Sequence, residues 1–100
     1  MNGLIDFISL IRTKRTDFLT TMTPQEKAVM GEHTDYIQTL YKEGKIVLSG
    51  EGTEGTLGVV IYRVYAAEEA RRLFYNDPAV IAGIGYPELH EFQVGHLAAQ

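Results

Sequence analysis

Apolar positions recur along this chain with two different periods, and the switches between them mark out six elements. Phe7 to Ile11 is apolar except for Ser9 and lacks strict alternation, which predicts a strand covered on both faces. Between Thr23 and Gly44 the period lengthens. Val29, His33, Tyr36, Ile37 and Leu40 then fall on one face of a helix at spacings of three and four. Thr23 is placed to cap this helix, with Pro24 at its first position and Glu26 completing a capping box. Lys42 and Gly44 suit its end. Ile46 to Leu48 reads as a second strand. The four glycines between Gly50 and Gly58 read as a turn into a third strand, Val59 to Tyr65. A second helix is predicted over Ala67 to Tyr75, with Ala70, Leu73 and Phe74 as its buried stripe. Asn76-Asp77-Pro78 ends it, and Ala79 to Ala82 forms one further short turn. Glu88 to Val94 alternates as a fourth strand, with Glu88, His90, Phe92 and Val94 on one side and Leu89, Glu91 and Gln93 on the other. Arg12 to Thr21 is a polar connection, either a mobile rim or a solvated loop in which Lys14 and Arg15 serve solubility.

Strand, helix, strand, strand, helix, strand is the split βαβ order. The expected fold is therefore α+β and ferredoxin-like, an antiparallel four-stranded sheet with two helices on one face. Two helices cover only that face, yet the first and third strands are apolar on both: Phe7 and Ile11 against Ile8 and Leu10, Val59 and Ile61 against Val60 and Val64. Each such side chain contributes roughly 1.5–3 kcal/mol on burial, so a second face left wet would forfeit a large share of a domain's stability. A second copy of the sheet would cover it, giving a two-fold homodimer closed as a dimeric α+β barrel, with a cavity expected where the paired sheets meet. One domain over residues 4–95 and a tail over 96–100 complete the division.

Composition narrows the class without naming a function. A length of 100 residues suits one domain, and 45% hydrophobic residues against 22% charged ones suit a globular chain. Thirteen acids against nine bases leave a net charge of −4, which argues against nucleic acid as a partner. The absence of cysteine excludes disulfides and thiolate metal cages. Met1 to Asp6 lacks the pattern of a signal peptide and no stretch has membrane-spanning length, so no membrane partner and a cytoplasmic location are expected.

His33 is the one polar member of a greasy stripe. It is either a core histidine bonded to a neighbour or a group that does chemistry. Asp77 is likewise either a cap for the turn after it or a carboxylate at a site. Ser49 has no strand-to-helix elbow around it, which disfavours a nucleophile and leaves a substrate hydrogen bond. Arg12 is placed to meet an anionic substrate or solvent, and Tyr36 and Tyr86 to pack or to line an aromatic cleft. His90 and His96, with Glu88 and Glu91, match no defensible metal spacing, and no metal site is expected.

The spacing of His33, Gly44 and Gly50, together with Asp77-Pro78-Ala79-Val80-Ile81-Ala82-Gly83, resembles the YCII-related (YciI-like) proteins. The resemblance runs from the first strand through that last segment, and it departs where Glu51 stands in place of a common proline. It implies dimeric ferredoxin-like subunits and a candidate active site at His33 and Asp77. One branch is similar to enzymes that eliminate chloride from chlorinated hydroxyquinols, and the wider superfamily includes muconolactone isomerases and cofactor-free oxygenases. In the split βαβ layout the end of the second helix can approach the middle of the first. A carboxylate there would fix the imidazole tautomer, and proton transfer at such a pair needs neither metal nor cofactor. The leading expectation is a cofactor-independent lyase or isomerase acting on a small aromatic or enolisable molecule. His33 is its acid/base, Asp77 orients it, and Arg12, Ser49, Gly50, Tyr36 and Tyr86 lie on the substrate side. The alternative is a non-catalytic binding or dimerisation module in which His33 and Asp77 brace the helices.

Overall fold

The first strand, β1, spans Ile5–Thr13, longer at both ends than its apolar run because its edges pair as well as its middle. The structure is a computed structural model that describes residues 3–98. Following β1, Phe18–Thr21 form a short helix, α1, and Pro24–Lys42 form the long helix, α2. The capping box is present in full, the Glu26 amide donating to Thr23 Oγ1 at 3.1 Å and the Thr23 amide to Glu26 Oε1 at 2.9 Å. At the other end Gly44 takes φ +79°, so the Gly44 amide reaches Tyr41 O and the Lys45 amide reaches Leu40 O, both at 3.0 Å. This closure satisfies two orphan carbonyls and turns the chain directly into β2, Ile46–Glu51. The third strand, β3, is Leu57–Val64, followed by α3 (Ala67–Tyr75), α4 (Pro78–Ile81) and β4 (Gly85–Phe92). β4 begins before the alternating run and ends before Gln93. Of the expected tail, residues 99 and 100 lie outside the described residues.

The sheet is fully antiparallel in the order β2-β3-β1-β4, the ferredoxin-like arrangement expected. Register assigns the faces. Phe7 opposes Tyr62, Ser9 opposes Val60 and Ile11 opposes Gly58 on the side that carries the helices. The main core lies there: Phe7, Val60, Tyr62 and Val64 pack against Ile37 and Leu40 of α2 and Leu73 and Phe74 of α3. Tyr62 and Phe74 meet edge to face at 6.3 Å, and the Tyr36 hydroxyl donates to Leu73 O at 2.7 Å, tying α2 to α3. A smaller cluster of Phe18, Ala79 and Ile84 packs with Met22, Val29 and Met30. The opposite face bears Ile8, Leu10, Val59, Ile61, Leu48 and Phe92, and among the described residues no helix covers it.

The polar connection after β1 is not a loose rim. Arg15 donates to both carboxylate oxygens of Glu26 at 3.0 and 2.8 Å, and also to Thr21 Oγ1 and Thr21 O. Its guanidinium therefore clips the α1 segment to the first turn of α2. The neighbouring cation and the Thr23 amide hold the Glu26 carboxyl down at about 2. Among the described residues no helix is long and apolar enough to cross a membrane.

Candidate functional site

The site is built where α4 meets the middle of α2. Asp77 is the N-cap of α4: its Oδ1 accepts from the Ala79 amide at 2.9 Å, with Pro78 at the first helical position. The same carboxylate receives His33 from the facing turn of α2. Nδ1 lies 2.8 Å from Oδ1 and 2.8 Å from Oδ2. Asp77 is 1% exposed, whereas the His33 side chain is 21% exposed. A buried acid thus grips the inner nitrogen of a ring whose other edge reaches open space. In the neutral ring an acceptor at Nδ1 favours the tautomer with its proton on that nitrogen and its lone pair on Nε2. The structural and chemical readings of Asp77 coincide, because one carboxylate has oxygens enough for both the cap and the ring.

That open space is a cleft of about 570 Å³ between α2 and the helix-bearing side of the sheet. It lies within one chain, bounded by α2 and by residues of β1, β2 and β3. Met30, His33, Ile37 and Tyr41 supply the helical wall, Ser9, Ile11 and Val60 the floor, and Phe18, Leu19 and Met22 one end. Most of these surfaces are apolar, as a pocket for a small organic molecule requires.

A β-bulge decides what β2 offers to the cleft. Ile46 opposes Tyr62 but Leu48 opposes Ile61, so Val47 is an extra residue. After it the alternation is reversed: Ser49 opposes Val60 and Glu51 opposes Gly58, both on the cleft side. Ser49, Gly50 and Glu51 all line the cleft. Of the expected substrate-side residues, Ser49 and Gly50 therefore join His33, and the other three do not. Arg12 and Tyr86 oppose each other across β1 and β4, one residue out of step with Ser9 and Ile11 and so on the other face of the sheet. Tyr36 points its hydroxyl at Leu73 and packs against the main core.

Two hydroxyls deep in the site are absent from the sequence reading. Ser9 is 1% exposed, lines the cleft floor and donates to Val60 O at 3.2 Å. Its signal was visible as the single polar residue in the β1 run. The Tyr62 hydroxyl is fully buried in the main core beside that of Ser9, behind the residues that line the cleft. Burial pushes the Tyr62 phenol up, and the Asp77 charge adds to the effect. Among the described residues no group of His, Asp and Glu could hold a metal ion.

Comparison with known proteins places this arrangement in context. The model of the YCII-related domain family matches residues 7–90. No match is found among curated proteins. Among solved structures the chain is similar to 5-chloro-2-hydroxyhydroquinone dehydrochlorinase (TftG) from Burkholderia phenoliruptrix, in complex with 2,5-dihydroxybenzoquinone. That similarity has 20% identity, 89% of this chain and 95% of that one covered, and a TM-score of 0.66. It is also similar to a dimeric protein of unknown function with a ferredoxin-like fold from Bacteroides fragilis, at 14% identity, 93% and 98% coverage and a TM-score of 0.53. A conserved protein of unknown function from Bacteroides thetaiotaomicron, described as a possible oxidoreductase, aligns at 14% identity, 92% and 98% coverage and a TM-score of 0.54. At these identities the likeness is one of fold.

Proposed function

The chain belongs to the YCII-related domain family, and on that premise we propose that it is a cofactor-independent enzyme of lyase or isomerase type acting on a small aromatic or enolisable molecule. The observation that carries this reading is the His33 ring, held at 2.8 Å by both oxygens of a buried Asp77 while it forms part of the wall of an apolar cleft. His33 Nε2 takes a proton from an O–H or acidic C–H of the substrate, and the electrons delocalise into the conjugated system. The proton then returns to another atom in an isomerisation, or stays on the ring while a leaving group departs in an elimination. Asp77 keeps the imidazole in the basic tautomer and faces the charge it acquires. Ser49, exposed at the cleft edge of β2, supplies a hydrogen bond to a substrate oxygen. The dehydrochlorinase similar in fold acts on a chlorinated hydroxyhydroquinone, which makes that class of compound the first to try here.

The working unit in this reading is a homodimer. Ile8, Leu10 and Val59, with the exposed Leu48 and Phe92, make the uncovered sheet face apolar, and a second copy covers it at the same stroke.

The test is turnover of a panel of hydroquinones and chlorinated hydroxyquinols, followed by ultraviolet spectra and chloride release. Wild type converts at least one of them, and His33→Gln lowers the rate by about 10²–10⁴-fold with its circular dichroism spectrum unchanged. Activity retained in His33→Gln rules the assignment out. The competing binding-module reading predicts instead that ligands bind and none is consumed.

A further inference from the structure

The charge on the cleft wall is one-sided. Glu51 faces the cleft because of the bulge at Val47, one inward step beyond Ser49 and about 7 Å from it along the strand. It opposes Gly58, where a Cβ atom would meet nothing within 4 Å, so no side chain of the paired strand stands opposite it. Among the described residues that line the cleft none is a lysine or an arginine. The nearby cations are engaged elsewhere. Arg12 lies on the far side of the sheet, Arg15 is committed to Glu26, and Lys14 sits over the Tyr86 ring at 5.8 Å. Nor does the His33–Asp77 pair compensate: with a neutral ring it carries one negative charge, and with a protonated ring none. An anion entering the cleft loses its hydration and finds one carboxylate and no cation.

Resting on the reading that this cleft takes a small aromatic molecule, we propose that Glu51 is a charge filter. It restricts the cleft to uncharged phenolic ligands, its carboxylate accepting a ligand hydroxyl, and it shuts out aromatics that carry a carboxylate. The hydroxyl gains a charge-assisted acceptor, whereas a ligand carboxylate would face a like charge at close range. Ser49 lies on the same strand to position the ring, and the apolar floor accepts its faces.

The test is a matched pair of probes, 2,5-dihydroxybenzoate and its methyl ester, titrated by calorimetry into the full chain at neutral pH. The two share a ring and both hydroxyls and differ in one charge and one methyl group, and the Glu51 substitutions separate these because they change only the response to the charge. Wild type binds the ester about tenfold tighter, as two like charges roughly 6 Å apart at a half-screened site require. Glu51→Gln brings the two affinities within about threefold, and Glu51→Arg reverses the preference. Glu51 is exposed on an edge strand, so neither variant disturbs the core. Wild type that binds the carboxylate as well as the ester, a ratio that neither substitution changes, or failure of both probes to bind each overturns the filter. These titrations read binding and not turnover. An enzyme inactive on every compound leaves the filter standing, and a His33-dependent enzyme blind to the charge refutes the filter alone.

Discussion

Replacing Asp77 by Asn removes one charge and almost no volume, which makes it the sharpest probe of what the buried carboxylate does. Both carboxylate oxygens sit 2.8 Å from His33 Nδ1, and Oδ1 also accepts the Ala79 amide at 2.9 Å. An asparagine keeps one carbonyl oxygen. If that oxygen caps Ala79, the amide NH₂ faces Nδ1, which must then accept a proton and no longer donate one. A charge-assisted bond contributes about 1.5–3 kcal/mol and a neutral one about 0.5–1.5, so the exchange costs about 1–2 kcal/mol. For a domain of this size that lowers Tm by about 5–15 °C. Asp77→Ala gives up the helix cap as well, a further ~1 kcal/mol. Thermal melts by circular dichroism, at one fixed protein concentration because the proposed dimer would couple to stability, read both values. An Asn variant within about 2 °C of wild type, beside an Ala variant that falls by the full amount, would show that the carboxylate caps α4 and contributes nothing through His33.

The clip on α1 titrates in acid. Glu26 sits at about 2 when folded, below its ordinary 4.5, so its stabilisation is complete above pH ~4.5 and is lost as pH falls through about 2. An acid titration of Tm should show this slope in wild type and a flatter one in Glu26→Gln. Gly58→Val projects a side chain into the cleft where a Cβ meets no atom within 4 Å. Tm should hold or rise slightly while binding of the methyl ester weakens at least about tenfold; unchanged affinity would place the ligand elsewhere. Leu10→Glu puts a charge in the middle of the uncovered sheet face, and light scattering should report a monomer where wild type is a dimer.

Much of the architecture was legible because it rests on strong local signals. Thr23, Pro24, Glu26 and Gly44 mark the ends of α2 by chemistry that does not depend on tertiary context, and their caps formed as read. The meeting of His33 and Asp77 was inferable from topology, since a split βαβ fold lays the second helical segment across the first. What stayed hidden depends on single residues in three dimensions. α1 has four residues and one buried side chain, Phe18, too few to show a period. Arg15 looked like a solvated charge because its partner Glu26 is eleven residues away across a turn. The bulge at Val47 inserts one residue without any glycine or proline to announce it, and it alone turns Ser49 and Glu51 toward the cleft. The placement of Arg12 follows from strand alternation once the helix-bearing face is known. Phe7, Ser9 and Ile11 face the helices, so the next residue along a strand must face away.

Base catalysis by His33 requires that Nε2, and not Nδ1, be the unprotonated nitrogen that faces the cleft. A long-range ¹H–¹⁵N correlation spectrum of the histidine rings, taken where His33 is neutral and repeated with the methyl ester bound, reads it directly. The Nδ1–H tautomer, with an unprotonated Nε2 resonance that moves on ligand addition, is the expected result. A proton found on Nε2, or a ring whose signals ignore the ligand, would contradict it.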